Sequence, residues 1–194
     1  DVKRGDIAAT AAMYARAHFE GEFEADYVTL SPYMGLDSIE PYLPYVQSHE
    51  KGLFILVRTS NPGAADIQYL EQKNGDRVYE TVGRRVAELG RPFLGTCGYS
   101  SVGGVTGCTH TEEAQKLRGE LQTVFFLIPG YGAQGGTARD VALYLHDGNG
   151  GIVNSSRGIL QAWQRNENGG AAFDRCARAA AEEMRDDIRA ALRA

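Results

Sequence analysis

The chain has 194 residues, 43% of them hydrophobic and 23% charged, which is globular composition and length enough for one core. A formal net charge of −5 and a pI near 5.4 argue against nucleic acid or an anionic membrane as partner, while local basic groups could still hold a small anion. Cys97, Cys108 and Cys176 are odd in number and lack C-x-x-C spacing, and His18, His49, His110 and His146 are scattered; no disulfide framework or metal site is expected, and a cytoplasmic setting fits. No apolar run reaches the roughly 18 residues of a spanning helix, and no signal peptide is visible.

Asp1-Val2-Lys3-Arg4-Gly5-Asp6 comes first. Residues two apart share one face of a strand, so Asp1 and Lys3 point the same way. Gly5 can turn the chain, and Asp6 stands where an N-cap belongs. The run from Asp6 to about Glu20 repeats Ile7, Ala11, Tyr14, Ala15 and His18 at helical spacing. A carboxylate, an ammonium and a second carboxylate thus meet at a strand-to-helix junction, the catalytic edge of α/β folds. An exposed salt bridge beside a helix cap is the plain alternative.

Residues 27–30 read as a short strand ended by Ser31-Pro32. Asp37 or Ser38 opens a helix to about Glu50, with Pro41 in its first turn and Pro44 bending it. Residues 53–57 are the most apolar run and read as a strand buried on both faces, followed by the loop Thr59-Ser60-Asn61-Pro62-Gly63. From 66 to 101 the pattern is weak: a turn at Asn74-Gly75, a helix over 81–89 and a break at Gly90-Arg91-Pro92. Strands over 102–109, 124–128 and 152–155 then alternate with helices over 111–121, 138–145 and 157–163. A long helix over 171–193 closes the chain, with Phe173, Cys176, Met184, Ile188 and Leu192 as its core contacts. Strand–helix alternation predicts a parallel sheet with right-handed crossovers in one α/β domain spanning 1–194; an open sheet and a closed barrel both satisfy it.

Two strand ends are built for a ligand. Pro129-Gly130-Tyr131-Gly132-Ala133-Gln134-Gly135-Gly136 has four glycines in eight residues, which lets backbone N–H groups approach closely. One strand later, Asn154-Ser155-Ser156-Arg157-Gly158 puts an arginine at a helix start, unfavourable for the helix dipole unless an anion is bound there. A phosphate would satisfy both, and barrels often hold one with the loops after their last two strands. Otherwise the glycines are turn residues and Arg157 pairs with a surface acid.

Taken together, the D-x-K-x-x-D element at 1–6, Ser31 to Gly35, Gly52 to Gly63, Pro129 to Gly136 and Asn154 to Arg157 resemble the orotidine 5′-phosphate decarboxylase family, in its longer bacterial (type 2) branch. The resemblance implies a (β/α)8 TIM barrel, a homodimer with a shared active site, no cofactor and no metal. It implies conversion of orotidine 5′-phosphate to UMP and CO2 in pyrimidine biosynthesis. Under it Lys3 protonates C6, Asp1 flanks the leaving carboxylate, and Asp6 with Thr10 reaches the ribose in the neighbouring subunit. Ser60 reads the pyrimidine edge, Gln134 and Arg157 hold the phosphate, and Pro62, Gly135 and Ser156 join the substrate-binding set. It also implies that the chain covers the end of barrel strand three through strand eight plus a C-terminal helix. Strands one and two, with a second lysine, would lie outside it, and 194 residues fall roughly 60 short of a typical barrel.

The chemistry is coherent. Loss of CO2 leaves a localised carbanion at C6, which a fixed ammonium meets as the charge develops. Two alternatives stand beside it: an Mg²⁺-dependent sugar-phosphate decarboxylase or aldolase of the same superfamily, and a non-catalytic nucleotide-phosphate-binding fragment.

Overall fold

The apolar, β-branched runs form five strands: β1 (Tyr27–Leu30), β2 (Gly52–Arg58), β3 (Ser100–Thr106), β4 (Val124–Pro129) and β5 (Gly151–Asn154). The computed structural model describes residues 1–48, 50–166 and 169–193; His49 lies outside them. The strands pair in sequence order and every neighbouring pair is parallel. The first residues extend this sheet. Arg4 bridges Leu30 in parallel, its N–H donating to the Thr29 carbonyl at 3.1 Å while its own carbonyl accepts from Ser31 N–H at 2.7 Å. Arg4 therefore makes one isolated parallel bridge beside β1. Lys3, with φ 43°, is not in strand conformation, so the expected shared strand face of Asp1 and Lys3 is not what brings their side chains together.

Helices fill the crossovers: α1 (Ala8–Phe19), α2 (Leu43–Ser48), α3 (Ala65–Gln68), α4 (Val78–Gly90), α5 (Thr111–Glu120), α6 (Ala138–Ala142), α7 (Ser156–Leu160) and α8 (Phe173–Ala191). The alternating side chains of a strand point to opposite faces. Val28 and Leu30, Leu53, Ile55 and Val57, and Val124, Phe126 and Ile128 make one buried face. It packs in a single core with Ala11, Ala15 and Phe19 of α1, Val86 of α4, Ala114 and Leu117 of α5 and Val141 of α6. The opposite face carries Leu56, Val105, Leu127 and Ile152 in one register across β2 to β5. One level down, a Cβ on Gly103 would lie 2.4 Å from the Phe125 carbonyl and 2.9 Å from the Phe54 ring, so that layer admits only glycine there.

Several sequence expectations shift. Asp6 does not cap α1: its carboxylate accepts from Ile7 N–H at 2.9 Å, and Ile7 is the N-cap, without a side-chain cap bond. The helix expected from Asp37 is broken into 3-10 turns at Leu36–Ser38 and Glu40–Tyr42 before α2. Pro41 and Pro44 have no N–H to give, and each sits in the first turn of a separate short segment. β3 starts at Ser100 and ends before Gly107, earlier than the run of 102–109 implied. On α8, Ile188 is buried and Met184 and Leu192 pack on the core, but Phe173 is 62% exposed and is not a core contact.

Two histidines set an acid limit on stability. His18 of α1 and His110, the N-cap of α5, are both half-buried. Burial lowers the pKa of each below the ordinary 6.5, with the Arg4 guanidinium adding to the effect at His18 and that of Arg58 at His110. The unfolded chain then takes up these protons first, so stability is present above the unfolded value of 6.5 and is lost as pH falls below it. The urea midpoint should fall between about pH 7.5 and about pH 5.5, and His18→Gln with His110→Gln should flatten that fall. An equally steep fall in the double variant would assign it to other groups.

Candidate active site at the strand ends

The C-terminal ends of the strands enclose a cavity of about 510 Å³. Leu56, Val105, Leu127 and Pro129 give it an apolar lining, and its polar groups include Asp1, Lys3, Thr29, Ser60, Gln134 and Ser156, with Thr59, Asn61, Gln68 and Asn154 beside them. At one end the Lys3 ammonium donates to Asp1 Oδ2 at 2.5 Å. Asp1 is fixed in turn by Thr29, whose hydroxyl donates to Asp1 Oδ1 at 2.8 Å and accepts from Lys3 N–H at 2.8 Å. Lys3 has φ 43°, a left-handed conformation that is uncommon for a side-chain-bearing residue and costs energy to hold. The pair is half exposed (53% and 63%), open to the cavity mouth.

At the other end is a pocket of about 90 Å³ formed by residues 129–131, 133–134 and 154–157. Pro129, Gln134, Asn154 and Ser156 line both spaces, so the two are continuous. Gly130, Gly132 and Gly135 have φ of 111°, 73° and 94°, which only glycine adopts freely. The loop closes on itself: Gly132 N–H donates to the Gly136 carbonyl at 2.8 Å and Gly136 N–H to the Gly130 carbonyl at 3.1 Å. Ser155 Oγ donates to the Tyr131 carbonyl at 3.2 Å, and the Tyr131 hydroxyl donates to Asp187 of α8 at 2.7 Å. Burial and then Asp187 push the Tyr131 phenol up to about 12, which keeps it a donor. Arg157 is exposed beside this pocket, and among the described residues no carboxylate pairs with it.

Beneath the loop lies Cys108, fully buried, its thiol raised to about 11 by burial. It packs as a small apolar group. A Cβ on Gly136 would lie 2.3 Å from its sulfur and 2.8 Å from the Gly130 carbonyl. Gly136→Ala should therefore cost about 1–3 kcal/mol, the usual range for overpacking. The urea midpoint checks this, and an unchanged midpoint would mean that the loop relaxes freely.

The structure thus brings together Asp1, Lys3, Ser60, Gln134 and Ser156 around one cavity, with Arg157 at its narrow end. Pro62 begins a 3-10 turn beyond Ser60, and Gly135 is in the loop; neither lines the cavity. Asp6 and Thr10 lie away from it at the start of α1, Asp6 half-buried and Thr10 exposed. Thr29 and Gln68 line it and escaped sequence reasoning, while Asn154, inside a stretch the sequence marks as a ligand site, lines it without having been given a role. Thr29 left one signal, a buried polar residue in an otherwise apolar short strand. Among the described residues no group of three or more His, Cys, Asp or Glu is placed to hold a metal ion.

A parallel β/α sheet with its polar groups gathered at the C-terminal strand ends defines part of a β/α barrel with a phosphate-sized pocket. The chain belongs to the orotidine 5′-phosphate decarboxylase / HUMPS family, whose model matches residues 1–172. It is 62% identical over 192 residues to an orotidine 5′-phosphate decarboxylase of Clostridium acetobutylicum, covering 99% of this chain and 67% of that protein. It is 62% identical over 188 residues to that of Clostridium kluyveri, covering 97% and 65%. The crystal structure of a putative orotidine 5′-phosphate decarboxylase from Streptomyces avermitilis superposes with a TM-score of 0.79 at 30% identity, over 99% of this chain and 64% of that one. The chain spans about two thirds of the length of the curated relatives it matches.

Proposed function

We propose that this chain carries the active-site face of an enzyme that decarboxylates orotidine 5′-phosphate to UMP and CO2 without metal or cofactor, in pyrimidine biosynthesis. The observation that carries this is the single cavity with the Lys3–Asp1 pair at one end and the Gln134–Arg157 pocket at the other. The names of its relatives support the reaction.

The phosphate sits beside the glycine loop, held by Gln134, Ser156 and the Arg157 guanidinium, because the N–H groups of Gly132, Ala133, Gly135 and Gly136 already bond carbonyls of the loop itself. Ser60, with Pro62 beside it, faces the pyrimidine. Asp1 flanks the carboxylate, favours its departure and keeps the Lys3 ammonium aimed at C6. As the C–C bond breaks, the electron pair stays on C6, and Lys3 stabilises it and gives it a proton. The barrier to be removed is near the upper end of the enzymatic range, about 23 kcal/mol. Phosphate binding far from C6 contributes by ordering the loops over the pyrimidine and excluding water. Asp6 and Thr10, turned away from this cavity, serve the ribose in the neighbouring subunit of a cytoplasmic homodimer.

The test is UMP formation from orotidine 5′-phosphate by the intact protein after treatment with a chelator. Full turnover is the expected result. Turnover that returns only with Mg²⁺ would move the chain to the metal-dependent chemistry of its superfamily, and tight UMP binding with no turnover under either condition would make it a binding protein.

A further inference from the structure

Arg58 ends the most apolar strand of the chain and is 2% exposed. A guanidinium so deeply placed needs partners on every side. Its Nε donates to Glu113 of α5 at 2.9 Å and its Nη2 to the Tyr69 hydroxyl at 2.7 Å. The Tyr69 hydroxyl donates in turn to the second Glu113 oxygen. Arg77 approaches the same carboxylate at 3.6 Å, and the Tyr69 ring lies under both guanidinium groups, 4.7 Å from Arg58 Cζ and 4.6 Å from Arg77 Cζ. The remaining Arg58 nitrogen donates to the carbonyl of Thr59.

Thr59 is held at its other polar atoms as well. Its N–H donates to Gln68 Oε1 at 2.9 Å, and its hydroxyl accepts from Gln68 Nε2 at 2.8 Å and donates to Asn61 Oδ1 at 2.7 Å. The next residue, Ser60, reaches across the cavity and donates to Gln134 Oε1 at 2.6 Å. Thr59, Ser60, Asn61 and Gln68 line the cavity; Arg58, Tyr69 and Glu113 do not. The cluster therefore reaches the site through Thr59 and through Gln68, the chain neighbour of Tyr69. Gln68, Tyr69 and Arg77 all come from the excursion over 65–77, whose Ile67 and Leu70 stand exposed.

We propose that the Gln68–Thr59 double hydrogen bond, backed by the buried Arg58–Tyr69–Glu113 cluster, is a positioning device that fixes the Ser60 loop for recognition of the pyrimidine. This rests on the nucleotide reading above. Burying an ion pair seldom raises stability over an apolar core of the same shape. What this one provides is a carbonyl and an N–H held in place one residue from Ser60.

The experiment measures binding of UMP and of ribose 5-phosphate, which lacks the pyrimidine, to the intact protein and three variants. Gln68→Ala should weaken UMP about tenfold and Tyr69→Phe about threefold, while ribose 5-phosphate changes less than about twofold. Gln68→Glu, whose carboxylate keeps the acceptor for the Thr59 N–H but has no proton to give the Thr59 hydroxyl, should recover part of the loss. Tyr69→Phe matters most because Tyr69 does not line the cavity, so its effect must pass through the Gln68–Thr59 pair. Equal weakening of both ligands, or no weakening of UMP, would overturn the positioning role. A wild-type protein that bound UMP no better than ribose 5-phosphate would instead overturn the pyrimidine reading itself.

Discussion

Lys3→Ala in the intact protein is expected to lower kcat for orotidine 5′-phosphate by at least about a thousandfold, since it removes both the proton donor and the charge opposite the carbanion. UMP affinity should change little, because product holds no negative charge at C6 and its phosphate is bound at the far end of the cavity. The fold should survive. The Lys3–Asp1 pair is more than half exposed, and exposed pairs are worth about 0–1 kcal/mol. Thermal denaturation and UMP titration serve as controls for the kinetic measurement. A variant that kept a tenth of the wild-type rate would remove Lys3 from the chemistry, and parallel losses of rate and UMP affinity would make it a binding group.

Arg157→Ala should act at the opposite end. Loss of a charge-assisted contact to phosphate is expected to raise KM by about 2–4 kcal/mol, or roughly 30- to 900-fold. Among the described residues Arg157 has no carboxylate partner, so its removal strands no buried charge and should leave the melting temperature nearly unchanged. A substrate lacking the phosphate should be insensitive to the change. If KM for the nucleotide stayed constant, the phosphate would have to sit away from Arg157.

Both ends of this cavity were legible in the sequence for one reason. Strand ends in a parallel sheet are marked by local punctuation, and the chemistry of such folds gathers there. The spacing of Asp1 and Lys3, the four glycines around Gln134 and the misplaced charge of Arg157 are all local signals. β2 and β4 were readable because 53–57 and 124–128 are nearly pure apolar runs bounded by loops, whereas the glycines of β3 blurred its ends. The misses have a different character. Asp6 looks like a cap, but the chain stays extended through Ile7 and the helix begins only at Ala8, a tertiary choice that propensity does not encode. Phe173 belongs to the apolar stripe of α8, yet only the last turns of that helix reach the core. The excursion over 65–77 has no periodicity because its work is polar: Gln68 and Tyr69 matter for what they grip across the fold, and a sequence window cannot contain both partners of Arg58 and Glu113.

The most direct measurement is a crystal structure of the intact protein with UMP bound. The expected result is one nucleotide along the strand ends, its phosphate within hydrogen-bonding distance of Gln134 and Arg157 and its C6 within about 3–3.5 Å of Lys3 Nζ, the separation from which transfer occurs. A nucleotide with its base turned away from Lys3, or lodged in a cleft beside α8, would contradict the assignment of this cavity as the site of decarboxylation.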